Sequence, residues 1–235
     1  MNYCHPESFL YSQKTRRLNV NRVGAGKYGQ VFVGCTTISC GRRIAVKKSL
    51  DDMATEFKIL KRAYRADPEH VPQPYLVKTC EPVGSVMYYQ YIPSVTLSKY
   101  KKITKPMLFE ILKTLYKLNK AGIRHNDVHL KNILIEKKTL RPYITDFGLA
   151  NMNNTPSLFG NKNSRYDYHM FLNILYNRLG TSSPVRIFIE KVIPKKYLGV
   201  ATNKVNRYRL RNNVSYSGLP SLREVLMKLN VEQYK

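Results

Sequence analysis

Hydrophobic and polar positions change rhythm once along this chain. Over roughly the first ninety residues, short apolar runs read as strands: Leu18-Asn-Val-Asn-Arg-Val23, where polar and apolar positions alternate, Gln30-Val-Phe-Val33, Ile44-Ala-Val46, and Val83 to Tyr91, a strand or strand pair closed by Pro93. That period of two belongs to strands that bury one face. One helix is expected among them, over about 53–64, with Asp51-Asp52 placed to cap it. Further on the period lengthens. Pro106 suits a first helical position, and Leu108, Ile111, Leu112 and Leu115 keep helical spacing up to Gly122. Helices are also expected at 166–178 and 184–193, and Ser221-Leu-Arg-Glu224 is a capping-box pattern with Leu222, Val225, Leu226 and Leu229 behind it. Short strands are read at Asn132-Ile-Leu-Ile135 and Tyr143-Ile-Thr145, and an exposed loop over the Asn-rich 151–165. The pattern predicts a β-rich lobe followed by a helical one, joined near residues 90–94.

Composition narrows the class. Of 235 residues 43% are hydrophobic, enough to bury a core as one large domain or two small lobes. No run approaches the roughly 20 apolar residues that span a bilayer, and the start lacks the order of a secretory signal. Cys4, Cys35, Cys40 and Cys80 form no CxxC pair and no metal-ligand spacing. The expectation is a soluble, intracellular, cytoplasmic protein with free thiols and no membrane contact.

Charge changes the picture more. Lys and Arg number 40 against 15 acids, a formal net charge of +25, and no acid lies between Glu190 and Glu224. Lys191, Lys195, Lys196, Lys204, Arg207, Arg209, Arg211 and Arg223 all fall in that stretch. Such a field attracts nucleic acid, acidic proteins or phosphorylated ligands, or is simply a solvated basic surface with no dedicated partner, and it says nothing of fold. With acids so scarce, Asp127, Asp146 and Asp167 stand out because they lie among apolar residues. A carboxylate kept beside a core needs a partner.

Residues 24–31 read Gly-Ala-Gly-Lys-Tyr-Gly-Gln-Val. A dinucleotide-binding turn would open a helix, but strand-forming residues follow Gly29. A P-loop would need Ser or Thr after Lys27, where Tyr28 stands. A glycine-rich hairpin fits both flanks, either as an ordinary tight turn or as a cradle whose backbone N–H groups approach phosphates. In Ile44-Ala-Val-Lys-Lys48, alternation puts Lys47 on the face of Ala45 and Lys48 on the other. Met53, Glu56, Phe57, Leu60 and Tyr64 share one helical stripe, so Glu56 is an acid on an apolar face and a candidate partner for Lys47. Asn132 follows Asp127 by five positions and Asp146 follows Asn132 by fourteen. An amide and a carboxylate suit Mg²⁺, and Asp127 is then free to deprotonate a hydroxyl.

In this order the motifs resemble the eukaryotic-type protein kinases over residues 18–178. Gly24, Gly26, Gly29 and Val31 match the glycine-rich loop, Lys47 the strand lysine, and Glu56 its helix partner. His125-Asn126-Asp127 with Asn132 match the catalytic loop, Asp146-Phe147-Gly148 the metal-binding motif, and Tyr166-Asp167 the start of the central helix. Gln90-Tyr91-Ile92 is similar to the adenine-binding hinge, with Tyr89 as gatekeeper. The resemblance implies an α+β, bilobal kinase-like fold: a small antiparallel β lobe with one helix, 1–91, and a mainly helical, shortened lobe, 92–235. It implies ATP with Mg²⁺, or Mn²⁺ in its place. Lys47, Glu56, Asp127, Asn132 and Asp146 would be catalytic, and Asn132 and Asp146 would hold the metal. Val23, Gly24, Gly26, Gly29, Val31, Ala45, Lys47, Gln90 and Ile92 would contact the nucleotide. His125 would be a buried structural member.

Three departures bear on the activity. Asn126 replaces the arginine that commonly receives an activation-loop phosphate, so activity without that phosphorylation is expected. His129 replaces the lysine of Ser/Thr kinases and is similar to the aminoglycoside and choline kinases. No Ala-Pro-Glu follows Asp146, so the peptide-docking platform is reduced. The compact, basic style resembles kinases of large DNA viruses, which would set it in host cytoplasm or virion. The expected activity is transfer of the ATP γ-phosphate to protein Ser/Thr hydroxyls, on acidic or nucleic-acid-associated substrates, by a monomer. The alternatives are a small-molecule kinase and a non-catalytic module binding nucleic acid.

Overall fold

Ile44-Ala-Val46 lies in the middle strand of a five-stranded antiparallel sheet, where both neighbours shield it from water. The strands are β1 (Asn21–Gly26), β2 (Gly29–Cys35), β3 (Arg43–Ser49), β4 (Pro74–Thr79) and β5 (Ser85–Gln90), in spatial order β1-β2-β3-β5-β4. The structure is a computed structural model describing residues 3–26, 29–80, 82, 84–152, 164–199 and 216–233. It divides into two compact units, Met1–Pro93 and Ser94–Lys235, and the chain is α+β, with the architecture of a compact kinase-like fold.

In the first unit, helix α1 (Ala54–Ala66) follows β3 and packs along β4. At its start the N-cap position is Met53 rather than an aspartate, and Asp52 just before it accepts the Ala54 N–H at 2.9 Å. Ser85 ties that start to β5, accepting from the Met53 N–H and donating to the Asp51 carbonyl. Cross-strand register puts Phe32, Val46 and Tyr88 on one face of the sheet. The N-terminal segment covers that face. Leu10 packs there with Val46, Val86 and Tyr88, Tyr3 and Phe9 set their rings against Tyr88, and the Tyr88 hydroxyl donates to the Tyr3 carbonyl. Gly34 permits this approach, because a Cβ there would lie 2.6 Å from that of Leu10.

The second unit contains strands β6 (Ser94–Thr96), β7 (Ile123–Arg124), β8 (Ile133–Glu136), β9 (Pro142–Ile144) and β10 (Asn151–Met152). Strands β6-β8-β9 form one small sheet, and β7 pairs with β10. The helices are α2 (Lys105–Lys120), α3 (Tyr166–Arg178), α4 (Pro184–Val192) and α5 (Leu222–Gln233). Thr104 caps α2 by accepting the Met107 N–H. The buried Leu108, Ile111, Leu112 and Leu115 turn one face of α2 inward, toward α3, α4 and α5. At α5 both capping-box bonds form: Ser221 N–H to the Glu224 carboxylate and Glu224 N–H to the Ser221 hydroxyl. Helix α3 is buried almost all round, from Tyr166 to Asn173, as suits an element at the centre of a core. No described helix is long and apolar enough to cross a membrane.

Several expectations need correction. The first strand begins at Asn21 rather than Leu18, which is 51% exposed and makes only an isolated bridge to Tyr11. Strand β4 has no counterpart among the expected elements, because Pro-Tyr-Leu-Val-Lys-Thr is a half-buried edge whose polarity does not alternate. The loop expected over 151–165 opens with a strand, and Asn151 is buried. Residues 153–163, Val83, Lys27 and Tyr28 lie outside the described residues, as do Lys204, Arg207, Arg209 and Arg211 of the basic stretch. The thiols are not free: Cys4 pairs with Cys80 and Cys35 with Cys40. The N-terminal segment running beside β4 brings the first pair to a Cα separation of 5.7 Å, and the turn after β2 brings the second to 4.8 Å. Motif spacing does not reveal the Cys4–Cys80 pairing, which tertiary contact makes across 76 positions.

Packing at Leu10 can be measured. Leu10→Ala is expected to lower stability by roughly 2–5 kcal/mol in urea unfolding. Leu50→Ala, at a side chain 81% exposed, should change it by less than about 0.5 kcal/mol; equal effects would contradict the packing. A second measurement concerns His169 on α3, whose Nε2–H donates to the Tyr197 carbonyl at 2.8 Å. Burial holds its imidazole down, from 6.5 to about 4. Above pH 6.5 neither folded nor unfolded chain is protonated there. As pH falls from 6.5 toward 4, only the unfolded chain takes the proton, so the fold loses about 3 kcal/mol across that window. His169→Gln should flatten that part of the stability–pH curve; an unchanged slope would contradict the assignment.

Candidate active site

The first unit gathers its candidate residues by register. Gly24 lies opposite Val31, Val31 opposite Lys47, and Lys47 opposite Met87. The next row on the same face holds Val33, Ala45 and Tyr89. Alternation therefore sets Val31, Ala45 and Lys47 on the face opposite Phe32 and Val46. There the Lys47 ammonium donates to both oxygens of Glu56, at 2.7 and 2.9 Å. The two side chains are only 9% and 10% exposed. A buried ammonium without an anion would be strongly disfavoured, so the carboxylate fixes where Lys47 points. Lys48 faces the other way and reaches Glu7 at 3.2 Å.

In the hairpin, Gly26 pairs with Gly29 across the undescribed 27–28. Gly29 has φ +140°, and a Cβ there would stand 2.4 Å from the Lys48 carbonyl oxygen. Only glycine allows β2 to pass so close to β3. Val23 occupies a register shift in β1 and is 58% exposed. Gln90 gives its amide N–H to the Gln73 carbonyl, and its side chain accepts from the Gln73 amide. Ile92 is buried just beyond β5.

The second unit holds Asp127, Asn132 and Asp146. Asp167, in the first turn of α3, anchors their loop: its two carboxylate oxygens accept the backbone N–H groups of His125 and Asn126, each at 2.8 Å. Burial pushes the Asp167 carboxyl up, opposed by His125, by these two amides and by Arg124. Burial in turn pushes Arg124 down, and its guanidinium donates to Asn119. His125 is 1% exposed. Its Nδ1 faces the Asp127 N–H at 3.3 Å and its Nε2 the Thr145 carbonyl at 3.0 Å, which fixes the proton on Nε2.

The Asp127 carboxylate is about one-quarter exposed, 24%. Asn132 donates its amide to the Asp127 carbonyl at 3.1 Å and to Oδ2 at 3.2 Å. His129 Nε2 lies 3.5 Å from the same Oδ2, while its Nδ1 accepts the N–H groups of Lys131 and Asn132. Both neighbours thus address one oxygen, and Oδ1 is open among the described residues. With its NH₂ committed, Asn132 keeps an amide oxygen to offer. The Thr145 N–H and hydroxyl both donate to the Asn132 carbonyl, prolonging the β8–β9 ladder and setting Asp146 next along the chain. Asp146 is exposed with φ 63°, whereas Phe147 beside it is buried. A neutral amide oxygen and a carboxylate are hard donors that fit Mg²⁺.

A third group has no counterpart among the motifs. Asp67, Glu69 and His70, just past α1, hold ligand atoms within 4.8 Å of one another. Asn151, whose side chain accepts from Asn126, has none either.

No protein-family model matches the chain. It is 28% identical over 171 residues to the mitogen-activated protein kinase HOG1 of Zygosaccharomyces rouxii, covering 67% of this chain and 38% of that protein. With HOG1 of Debaryomyces hansenii it is 24% identical over 244 residues, covering 96% of this chain and 61% of the relative. With a Plasmodium falciparum protein named "Probable serine/threonine-protein kinase 2" it is 25% identical over 159 residues, covering 58% and 29%. The chain therefore spans less than two thirds of the length of each of these relatives. This distant similarity supports a eukaryotic-type protein kinase.

Proposed function

We propose that the chain transfers the γ-phosphate of ATP to Ser or Thr hydroxyls of protein substrates. The observation that carries this is the Asp127 carboxylate, with Oδ2 addressed by Asn132 and His129 and Oδ1 open among the described residues. Oδ1 accepts the proton of the substrate hydroxyl as that oxygen attacks the γ-phosphorus and the bond to the β-phosphate oxygen breaks. Asn132, through its amide oxygen, and Asp146 would hold Mg²⁺, which neutralises charge on the phosphates. By the resemblance, Lys47, held by Glu56, would meet the α- and β-phosphates, and the Gly24–Gly29 hairpin would offer backbone N–H groups to them. Val23, Val31, Ala45, Gln90 and Ile92 surround the base. Little covalent work is asked of the protein beyond positioning and charge. Its excess of basic residues favours acidic or nucleic-acid-associated substrates.

The test is transfer from labelled Mg²⁺-ATP to casein-like and basic proteins, beside a panel of aminoglycosides and choline. Asp127→Asn should lower kcat about 10²–10⁴-fold with the KM for ATP little changed. Full activity in that variant refutes the role of Asp127. Transfer confined to the small molecules makes this a metabolite kinase. Salt-dependent nucleic-acid binding without transfer, indifferent to Mg²⁺-ATP, makes it a binding module.

A further inference from the structure

Asn126 stands where the resemblance expects an arginine, and its side chain is not idle. The residue has φ 63°, a left-handed conformation that asparagine tolerates better than most residues. From there its Nδ2 donates to the Asn151 side-chain oxygen at 2.9 Å, to the Leu149 carbonyl at 3.0 Å and, longer, to the Arg124 carbonyl at 3.3 Å. Asn126 is 0% and Asn151 7% exposed, so water does not compete for these bonds. Leu149 and Asn151 belong to the segment directly after Asp146-Phe147-Gly148. The same segment pairs as β10 with β7, Asn151 opposite Arg124 and Met152 opposite Ile123. One buried amide therefore joins the residue before Asp127 to the chain after Asp146.

The chemistry of the join matters. An arginine at 126 would bring a charge that needs an anion. A carboxamide is neutral, and neutral carbonyl oxygens of the protein satisfy it. We propose that the Asn126–Asn151 amide pair is a latch that orders the segment after Asp146 without phosphorylation. It makes Asn126 and Asn151 positioning residues, which keep Asp127 and Asp146 in register with each other. The proposal rests on Asp127 acting as base and Asp146 as metal ligand.

Three variants test it. Asn126→Gly removes the amide but keeps the left-handed backbone, Asn151→Ala removes the acceptor, and Asn151→Ser restores an acceptor oxygen. Protein treated with a phosphatase and untreated protein should turn over at the same rate. Asn126→Gly and Asn151→Ala should each lower kcat about 10- to 100-fold, the scale of a small misplacement of reacting groups. Amide hydrogen exchange should quicken over 147–152 and stay unchanged in α2, and Asn151→Ser should recover part of both effects. The latch is overturned if both variants keep kcat within about twofold, or if phosphatase treatment abolishes wild-type turnover. Should wild type transfer no phosphate at all, the proposed function fails, and exchange alone then decides the latch. Unchanged protection over 149–152 in Asn151→Ala refutes it; lost protection upholds it. If Asn126→Gly fails to fold, the Asn151 pair of variants carries the comparison.

Discussion

One buried carboxylate organises the second unit. Asp167 takes the N–H of His125 on one oxygen and that of Asn126 on the other, both at 2.8 Å. A loop carrying His125, Asn126, Asp127 and Asn132 could settle in many ways, since each side chain can bond to several partners. Two charge-assisted bonds from a rigid helix remove most of that freedom. With residues 125 and 126 fixed, the imidazole of His125 meets the Thr145 carbonyl and the amide of Asn126 meets Leu149 and Asn151. Asp127 then emerges with one oxygen open. Desolvation opposes ionisation of Asp167 and the two amides favour it, so the loop and the anchor stabilise each other.

In the first unit the corresponding constraint is the Lys47–Glu56 pair. A buried ion pair is weak evidence for stability, because apolar residues of similar volume often serve the fold as well. Its effect is direction. Both Glu56 oxygens lie within hydrogen-bond reach of the ammonium, so a flexible lysine is held to one orientation. In a chain with only 15 acids, placing one in a buried pair leaves fewer to offset the surface charge.

Legibility followed the strength of the local signal. The helix over 166–178 emerged with its bounds intact, and the capping box at Ser221 and Glu224 formed both its bonds, because those signals lie within a few residues. The inward turn of Lys47 was readable from alternation, and Glu56 from its place on an apolar stripe. Alternation misled at Leu18, where the polar–apolar rhythm starts three residues before the strand. It also failed at β4, an edge buried too evenly to show a period. Contacts across long separations were closed to sequence reading. Nothing near Asn151 announces that it meets a residue 25 positions earlier, and nothing near Cys4 announces Cys80.

The cross-links have a consequence for how the two units respond to their medium. All four cysteines precede Pro93, so both bridges lie in the first unit. The Cys4–Cys80 bridge closes a ring spanning 76 positions that contains β1 to β4 and α1. On chain entropy alone such a ring is worth about 4 kcal/mol against the unfolded state. A thiol reductant would therefore act first on the sheet that carries Lys47, since both bridges close within residues 4–80.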